Sequence, residues 1–273
     1  GARAAQFILN NLQPTGQLLR AYAADKASHI GYIEDHAFMI AALLDLFEAS
    51  GDAKWMEHAI SLDKAVARSY EDQEGNWYRT HKDHSNLLVR ESPNHDGAEP
   101  SGASVMLQNV MRLHAFTTID SYRQRSEKAF QAYGQILSSY PLSLDKMLLA
   151  THWKAYPPKE VFIIANNSHE AKEMVDTLRR SPIKNRVVAV VTSQQQQRRL
   201  EKVIPPIKGK EMRNKQTTAY VCQNGSCQFP TTKPEVFWCC QTKQNKQRFS
   251  FVATPNTTKT IGFLWLLSQT IQK

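Results

Sequence analysis

The stretch "GYIEDHAFMIAALLDLFEASGDAKWMEHAISLDKAVARSYED", residues 31–72, carries the clearest folding signal in this chain. Its first half is apolar almost all round, which is typical of a helix buried on every side. Its second half has an apolar face that includes Trp55 and Met56 and a polar face that includes Glu57 and His58. The pattern predicts a helical hairpin with an inner, buried helix and an outer, half-exposed helix.

The same pattern returns further along the chain. An apolar segment, "GASVMLQNVMRLHAF", precedes an amphipathic one, "SYRQRSEKAFQAYGQIL", and a shift of 67 residues sets Trp55 on Tyr122. The N-terminal segment matches the second half of such a unit, with Leu18–Leu19–Arg20 set on Trp77–Tyr78–Arg79. We therefore predict stacked helical hairpins over residues 1–156. Because such hairpins bury their inner helices only against neighbours, an incomplete stack is expected to leave inner helices exposed for a partner protein.

The period changes after residue 156. Two β-branched runs, "EVFIIA" and "RVVAVVT", flank a helical stretch, and "TTAYVC" follows as a third strand. These features predict a small α/β segment over residues 157–237. No glycine-rich phosphate loop follows either of the first two strands, so we predict neither a nucleotide site nor a cofactor. The last segment, residues 238–273, contains no acidic residue and is predicted to be a poorly ordered basic tail.

Composition narrows the class of function. The net charge of +9 invites a nucleic-acid interpretation, but five of the basic residues lie in the tail and the body has no basic stripe interleaved with aromatics. We therefore expect no nucleic-acid partner. The longest apolar stretch near the end, "IGFLWLL", is too short to span a bilayer, and the first residues lack the features of a signal peptide. The sequence reads as a soluble protein of unknown compartment.

Acidic residues stand at the start of both apolar helices. Glu34 and Asp35 begin the first, and Asp96 and Glu99 precede the second. Inner helices of a hairpin toroid run parallel, so their N-termini converge on one mouth. Four carboxylates there are suited to acid and base chemistry on a sugar, because one carboxyl stays protonated while another ionises. These four residues are the candidate catalytic groups.

Neighbouring side chains supply candidate substrate contacts. His36 and His95 stand beside the acids as possible proton-transfer groups or hydrogen-bond donors. Three aromatic residues, Tyr32, Trp77 and Tyr78, are candidates to stack on a sugar face. Capping is the competing interpretation of the acids, since a helix N-terminus favours negative charge by about 0.3–1 kcal/mol per residue. Both interpretations fit the same residues.

Four cysteines lie in the last quarter of the chain: Cys222, Cys227, Cys239 and Cys240. A four-thiolate zinc site is disfavoured because adjacent cysteines chelate one ion poorly and no histidine lies nearby. We predict no metal site, and expect free thiols or a local redox pair. The motifs of serine hydrolases and of zinc proteases are absent.

Three stretches carry a family resemblance: "GYIEDHAFMIAALLDLFEASGDAKWMEHA", "ESPNHDGAEPSGASVMLQNVMRLH" and "YVCQNGSCQFPTTKPE". Over residues 2–237 the chain resembles the C-terminal part of the spermatogenesis-associated protein 20 family, which combines a thioredoxin-like domain with a six-hairpin (α/α) toroid. The resemblance implies a mainly α fold, an incomplete (α/α) six-hairpin toroid followed by a small α/β segment. The thioredoxin-like domain and about half of the toroid have no counterpart in this chain.

The resemblance also implies a class of function. The toroid is related in shape to six-hairpin glycosidases and to N-acylglucosamine 2-epimerase, which implies a carbohydrate ligand or substrate. A role in spermatogenesis or fertility is suggested for animal members. The alternatives are a non-catalytic interaction or scaffold protein and an inactive truncated isoform.

Overall fold

The computed structural model describes residues 1–13, 16–84, 87–183 and 185–239. The predicted basic tail lies outside these residues apart from its first two positions. The described elements in chain order are α1 (Ala2–Asn11), β1 (Leu19–Ala23), β2 (Lys26–Ile30), α2 (Ile33–Ser50), α3 (Ala53–Ser69), α4 (Gly102–Thr117), α5 (Asp120–Ala132), α6 (Gly134–Ser139), α7 (Asp145–Ala155), β3 (Lys159–Ile164), α8 (Ser168–Arg180), β4 (Arg186–Val191), α9 (Gln194–Leu200), β5 (Thr218–Gln223), β6 (Ser226–Cys227) and α10 (Val236–Cys239).

The two predicted helical hairpins are confirmed. Helix α2 packs against α3, α4 packs against α5, and the inner helices α2 and α4 pack against each other. Both inner helices end on a residue in the left-handed conformation, Gly51 (φ 71°) and Thr118 (φ 56°). These two positions are equivalent in the repeat, so the internal similarity extends to the backbone of the connecting turn.

A partly buried arginine links the two outer helices. Arg125 on α5 contacts the Asp63 carboxylate of α3 and the Glu71 carboxylate just beyond α3, each at 2.7 Å. Asp63 is almost fully buried, and a buried carboxylate needs such a partner to offset its lost hydration. The ion pairs therefore fix the distance between the two hairpins on their outer side.

The α/β segment contains a four-stranded sheet in the order β4-β3-β5-β6. Strand β3 pairs in parallel with β4, and helix α8 connects these two strands along the chain. Strand β3 also pairs with β5 in antiparallel orientation. Side chains of β3 alternate between two hydrophobic clusters. Phe162 and Ile164 belong to the cluster of the helical hairpins, whereas Val161 and Ile163 pack with α8. The sheet therefore lies between the hairpins on one face and α8 on the other.

This sheet changes what was expected of the inner helices. Strand β4 packs on α2 and α4, and the side-chain amide of Gln196 donates to the carbonyls of Gly51, at 2.6 Å, and Val190, at 2.9 Å. A Cβ atom on Gly51 would lie 2.6 Å from the Val190 carbonyl oxygen, so the contact is close. The sheet therefore covers part of the inner helices, while a stripe of α2 that includes Phe38 stays exposed.

The mainly α class with a small α/β segment is confirmed. Helices supply most of the described secondary structure, and the four-stranded sheet and the β1-β2 hairpin supply the strands. Among the described helices none is long and apolar enough to cross a membrane.

Candidate functional site

Three loops converge on the first residue of α2. The amide of Ile33 donates to the Arg79 carbonyl at 2.9 Å, and the amide of Gly31 donates to the Leu18 carbonyl at 2.9 Å. Gly102, the first residue of α4, lies against the same point, since a Cβ there would be 2.9 Å from the Glu34 nitrogen. The starts of α2 and α4 therefore meet, as the repeat predicts.

Two arginines flank the two acids at this point. Arg79 pairs with Glu34 at 3.6 Å, from Nε to Oε1, and Arg20 pairs with Asp35 at 3.9 Å, from Nε to Oδ2. Arg79 also pairs with Glu91 at 3.0 Å. The sequence repeat aligned Arg20 with Arg79, and the structure places these equivalent arginines on neighbouring carboxylates of one helix start.

Glu34 is the electrostatically distinctive member of this group. Burial raises the pKa of Glu34, and the charges of Asp35 and Glu91 raise it further, while a backbone hydrogen bond and Arg79 oppose the rise. Its Oε2 atom is buried and has no hydrogen-bond partner within the described residues. A carboxyl in this state holds its proton more tightly than usual, and one of its oxygens has unused hydrogen-bonding capacity.

Two of the predicted aromatic residues, Tyr32 and Tyr78, have rings that lie under arginine guanidinium groups. The Asp35 carboxylate accepts the Tyr32 amide at 2.7 Å, and the Arg20 guanidinium lies 4.3 Å from the centre of the Tyr32 ring. Tyr78 donates its hydroxyl to Asp72 at 3.0 Å, and this bond is the main cause of its raised pKa. Tyr32 and Tyr78 are both partly exposed, so each ring retains a surface for contact.

His36 occupies a different environment from the one predicted. Its ring is almost fully buried, its Nδ1 lies 2.8 Å from the Tyr32 carbonyl oxygen, and it packs against the ring of Tyr70. Burial lowers the pKa of His36. The Tyr70 hydroxyl in turn donates to the Gly31 carbonyl at 2.6 Å. His36 thus supports the loop before α2 from inside, and corrects the prediction that it would contact a substrate.

Asp96 fits the capping interpretation. It is 7 % exposed, and its Oδ1 accepts the Ser101 amide at 2.8 Å. Its Oδ2 accepts the Ser104 hydroxyl at 3.1 Å and the Lys146 amide at 2.9 Å. Both oxygens are thereby occupied in holding the starts of α4 and α7. The prediction of Asp96 as part of an open catalytic cluster is corrected accordingly.

The other predicted residues divide between surface and core. Glu99 and His95 are exposed in the loop before α4, and neither side chain makes an ion pair within the described chain. Trp77 is completely buried, stacks on Tyr133 with ring centres 6.3 Å apart, and donates its indole N–H to Glu71 at 3.2 Å. Trp77 is therefore a core residue, which corrects its prediction as a stacking platform for a sugar.

Sequence reasoning missed Arg20, Arg79 and Glu91. The alignment of Arg20 with Arg79 was the available signal for the two arginines, because equivalent positions of a repeat take equivalent places around a shared mouth. Glu91 lies in an irregular loop with no periodic pattern, and only the folded chain brings it to Arg79.

No cluster of three metal-ligating side chains occurs within the described residues. Cys222 and Cys227 form a disulfide that joins facing residues of β5 and β6. Cys222 and Cys227 are thus a local pair of cysteines. They lie far along the chain from the acids of α2. Cys239 lies in α10, and Cys240 lies outside the described residues.

These features define a mainly α protein of paired helical hairpins, backed by a small α/β sheet, with acids and arginines at the start of an inner helix. No family model matches the chain. It is 29 % identical over 207 residues to spermatogenesis-associated protein 20 of Homo sapiens, and 26 % identical over 207 residues to that of Mus musculus. An uncharacterized protein of Caenorhabditis elegans is 27 % identical over 158 residues, 55 % of this chain and 22 % of that protein.

The alignments with the human and mouse proteins cover 75 % of this chain and 26 % of each relative, so the chain spans about a quarter of the length of these relatives. The chain is a distant relative of spermatogenesis-associated protein 20.

Proposed function

We propose that the start of α2 binds a carbohydrate and that Glu34 acts there as a protonated carboxyl. We further propose that the hairpins belong to a six-hairpin (α/α) toroid whose mouth this site lines. The name of the mammalian relatives associates them with spermatogenesis. We propose that process as the biological setting in which the site acts.

The buried, unpartnered Oε2 of Glu34 carries the proposal. A protonated carboxyl donates a hydrogen bond to a sugar oxygen, and in a reaction it is the group that protonates a leaving oxygen. Glu91 is the candidate ionised partner, since Arg79 pairs with both carboxylates and Glu91 is largely exposed. Two carboxyls in such different surroundings suit the separate roles of acid and base.

The surroundings of Glu34 match the chemistry of a polyhydroxylated ligand. Arg20 and Arg79 present guanidinium donors, and their side chains remain 41 % and 49 % exposed. The rings of Tyr32 and Tyr78 are partly exposed, and a guanidinium lies over each of them, that of Arg20 over Tyr32 and that of Arg90 over Tyr78. Sugar-binding sites combine such donors with aromatic faces because a pyranose ring has polar edges and apolar C–H faces.

Thermal-shift screening against a panel of monosaccharides and disaccharides tests the proposal. We expect at least one sugar to raise the melting temperature of the 273-residue protein. Glu34→Ala should abolish that shift, because it removes the carboxyl that contacts the sugar, whereas Glu34→Gln keeps a neutral hydrogen-bond donor and should retain part of the shift. Glu99→Ala is the matched control, since Glu99 is exposed just before the other inner helix.

Two outcomes would contradict the proposal. A sugar shift that survives Glu34→Ala would place the ligand elsewhere. No shift with any sugar would favour the alternative of a non-catalytic interaction protein, for which the exposed side chains of Leu88 and Val89, close to Glu91 in the chain, provide an apolar surface.

A further inference from the structure

A cavity lies at the C-terminal end of α4. It has a volume of about 500 Å³ and is bounded by the last turns of α4, by α5, by the end of α7 and by the turn between β5 and β6. This volume falls in the range of sites for small organic ligands, about 300–1,000 Å³. The helical hairpins and the α/β segment both contribute walls, so the cavity exists only because the two parts pack together.

We propose that this cavity binds a planar aromatic molecule that carries one anionic group, with the ring against Trp153 and Phe130 and the anion at Lys154. This site is separate from the start of α2, and the proposal does not rest on the carbohydrate function. Apolar lining from Met111 and Ala115 completes the surface against which the ring packs.

The aromatic side chains give the cavity a preference for flat apolar groups. Phe130 is buried and Trp153 is half-buried, and both side chains line the cavity. Aromatic rings stack favourably in offset or edge-to-face arrangements.

Lys154 gives the cavity its preference for an anion. Its Nζ lies 4.5 Å from the centre of the Phe130 ring, and no carboxylate of the described residues lies within ion-pair distance of it. Arg123, the other cation of the lining, is already paired with Asp120 and Glu127 at 2.7 Å each. Of these two cations, Lys154 is therefore the one that has no paired carboxylate among the described residues.

Two further groups of the lining have shifted pKa values. Burial lowers the pKa of His114, which favours its neutral ring. Burial also raises the pKa of Glu160, although a backbone hydrogen bond from Asn224 and the charge of Lys210 oppose the rise. That hydrogen bond ties the β5-β6 turn to β3, and the Cys222–Cys227 disulfide closes the same turn. The wall opposite Lys154 is thus fixed in place.

Two fluorescent probes test the proposal on the 273-residue protein. Anilinonaphthalene sulfonate has a planar aromatic body and one anionic group, and phenylnaphthylamine has a similar body without the charge. We expect both to bind saturably, and Lys154→Glu to weaken the anionic probe about tenfold while leaving the neutral probe within about twofold. Lys208→Glu, a charge reversal at an exposed lysine outside the cavity, should leave both affinities unchanged.

Filling the cavity tests its position. Ala115→Phe adds a ring from α4 into the space and should weaken both probes more than tenfold, with a melting curve recorded for the variant. If Ala115→Phe lowers the melting temperature, the result for Lys154→Glu alone decides whether the proposal holds. Equal loss of both probes in Lys154→Glu, no loss of either, or an equal effect of Lys208→Glu would overturn the proposal, because the probes would then report other apolar surface.

Discussion

The starts of α2 and α4 look alike in sequence and differ in chemistry. Each apolar inner helix has acidic residues at or just before its first turn, and the two starts touch at Gly102. Asp96 has both oxygens occupied by three donors, whereas Glu34 has one oxygen near Arg79 and the other without a partner among the described residues. The same pattern therefore yields a structural cap in one place and a carboxyl with an unpartnered buried oxygen in the other.

Hydrogen-bond saturation is the difference between Asp96 and Glu34, and the proposed role of Glu34 depends on it. A buried carboxylate whose oxygens already accept three hydrogen bonds has little capacity left for a ligand. A buried carboxyl with an unpartnered oxygen costs stability, and such a cost is typical of a functional group. Four predictions test this contrast between Asp96 and Glu34.

The largest effect is expected at Asp96. Asp96→Ala leaves the buried amides of Ser101 and Lys146 and the hydroxyl of Ser104 without their acceptor. Unsatisfied buried donors cost about 1–3 kcal/mol each, so we expect a loss of about 3 kcal/mol or more in the free energy of unfolding, measured by urea denaturation. Glu99→Ala, at an exposed position, should change it by less than about 0.5 kcal/mol. A loss at Asp96 as small as that of the control would contradict its role as a cap.

The second effect concerns the contact between the two helix starts. Gly102→Ala places a methyl group 2.6 Å from the Ile33 Cγ2 atom and 2.9 Å from the Glu34 nitrogen. Since neighbouring backbone must shift, we expect a loss of about 1–3 kcal/mol in the free energy of unfolding. Gly97→Ala is the matched control, because a Cβ there meets no atom within 4 Å. Equal stability of the two variants would show that the helix starts are not in close contact.

Local signals in the sequence predicted much of the fold. The apolar and amphipathic periods of α2 to α5 reflect burial on one or all sides of a helix, and the strands β3, β4 and β5 follow β-branched runs. The covering of α2 and α4 by the sheet was missed, because periodicity shows that a surface is buried and does not show what buries it. The same limit applies to Trp77, whose stacking partner Tyr133 lies far along the chain.

The candidate site was only half predictable for a related reason. Acids at a helix start are visible in sequence, and Glu34 and Asp35 do lie side by side among arginines. The donor from Lys146 that occupies Asp96 comes from α7, fifty positions away, and no local pattern indicates it. The state of each acid depends on such distant groups, so sequence alone left capping and function unresolved.

A smaller effect of opposite sign is expected at Glu34. Its pKa is raised above the ordinary 4.5, chiefly by burial, so the folded protein binds the proton more tightly than the unfolded chain. Stability therefore falls as pH rises from about 4.5 through the folded pKa, and is constant above it. Glu34→Gln lacks this step, so above that pH it should be more stable than the wild type, by less than about 1 kcal/mol. Denaturation at several pH values measures this difference, and a variant less stable at neutral pH would contradict the contrast with Asp96.

The smallest effect on stability is expected at Arg79, where the informative quantity is the pKa of Glu34. Arg79 opposes the rise of that pKa, so Arg79→Gln should raise it further, as measured by carbon NMR titration of the side-chain carboxyl. The change in unfolding free energy should stay within about 1 kcal/mol, because the Arg79 side chain is half exposed and such ion pairs are weak. Arg20→Gln is the matched control, since its partner is Asp35, and it should shift the pKa of Glu34 less. Equal shifts of the Glu34 pKa in the two variants would mean that Arg20 and Arg79 act only through their general positive charge. The ion pair between Arg79 and Glu34 would then make no specific contribution.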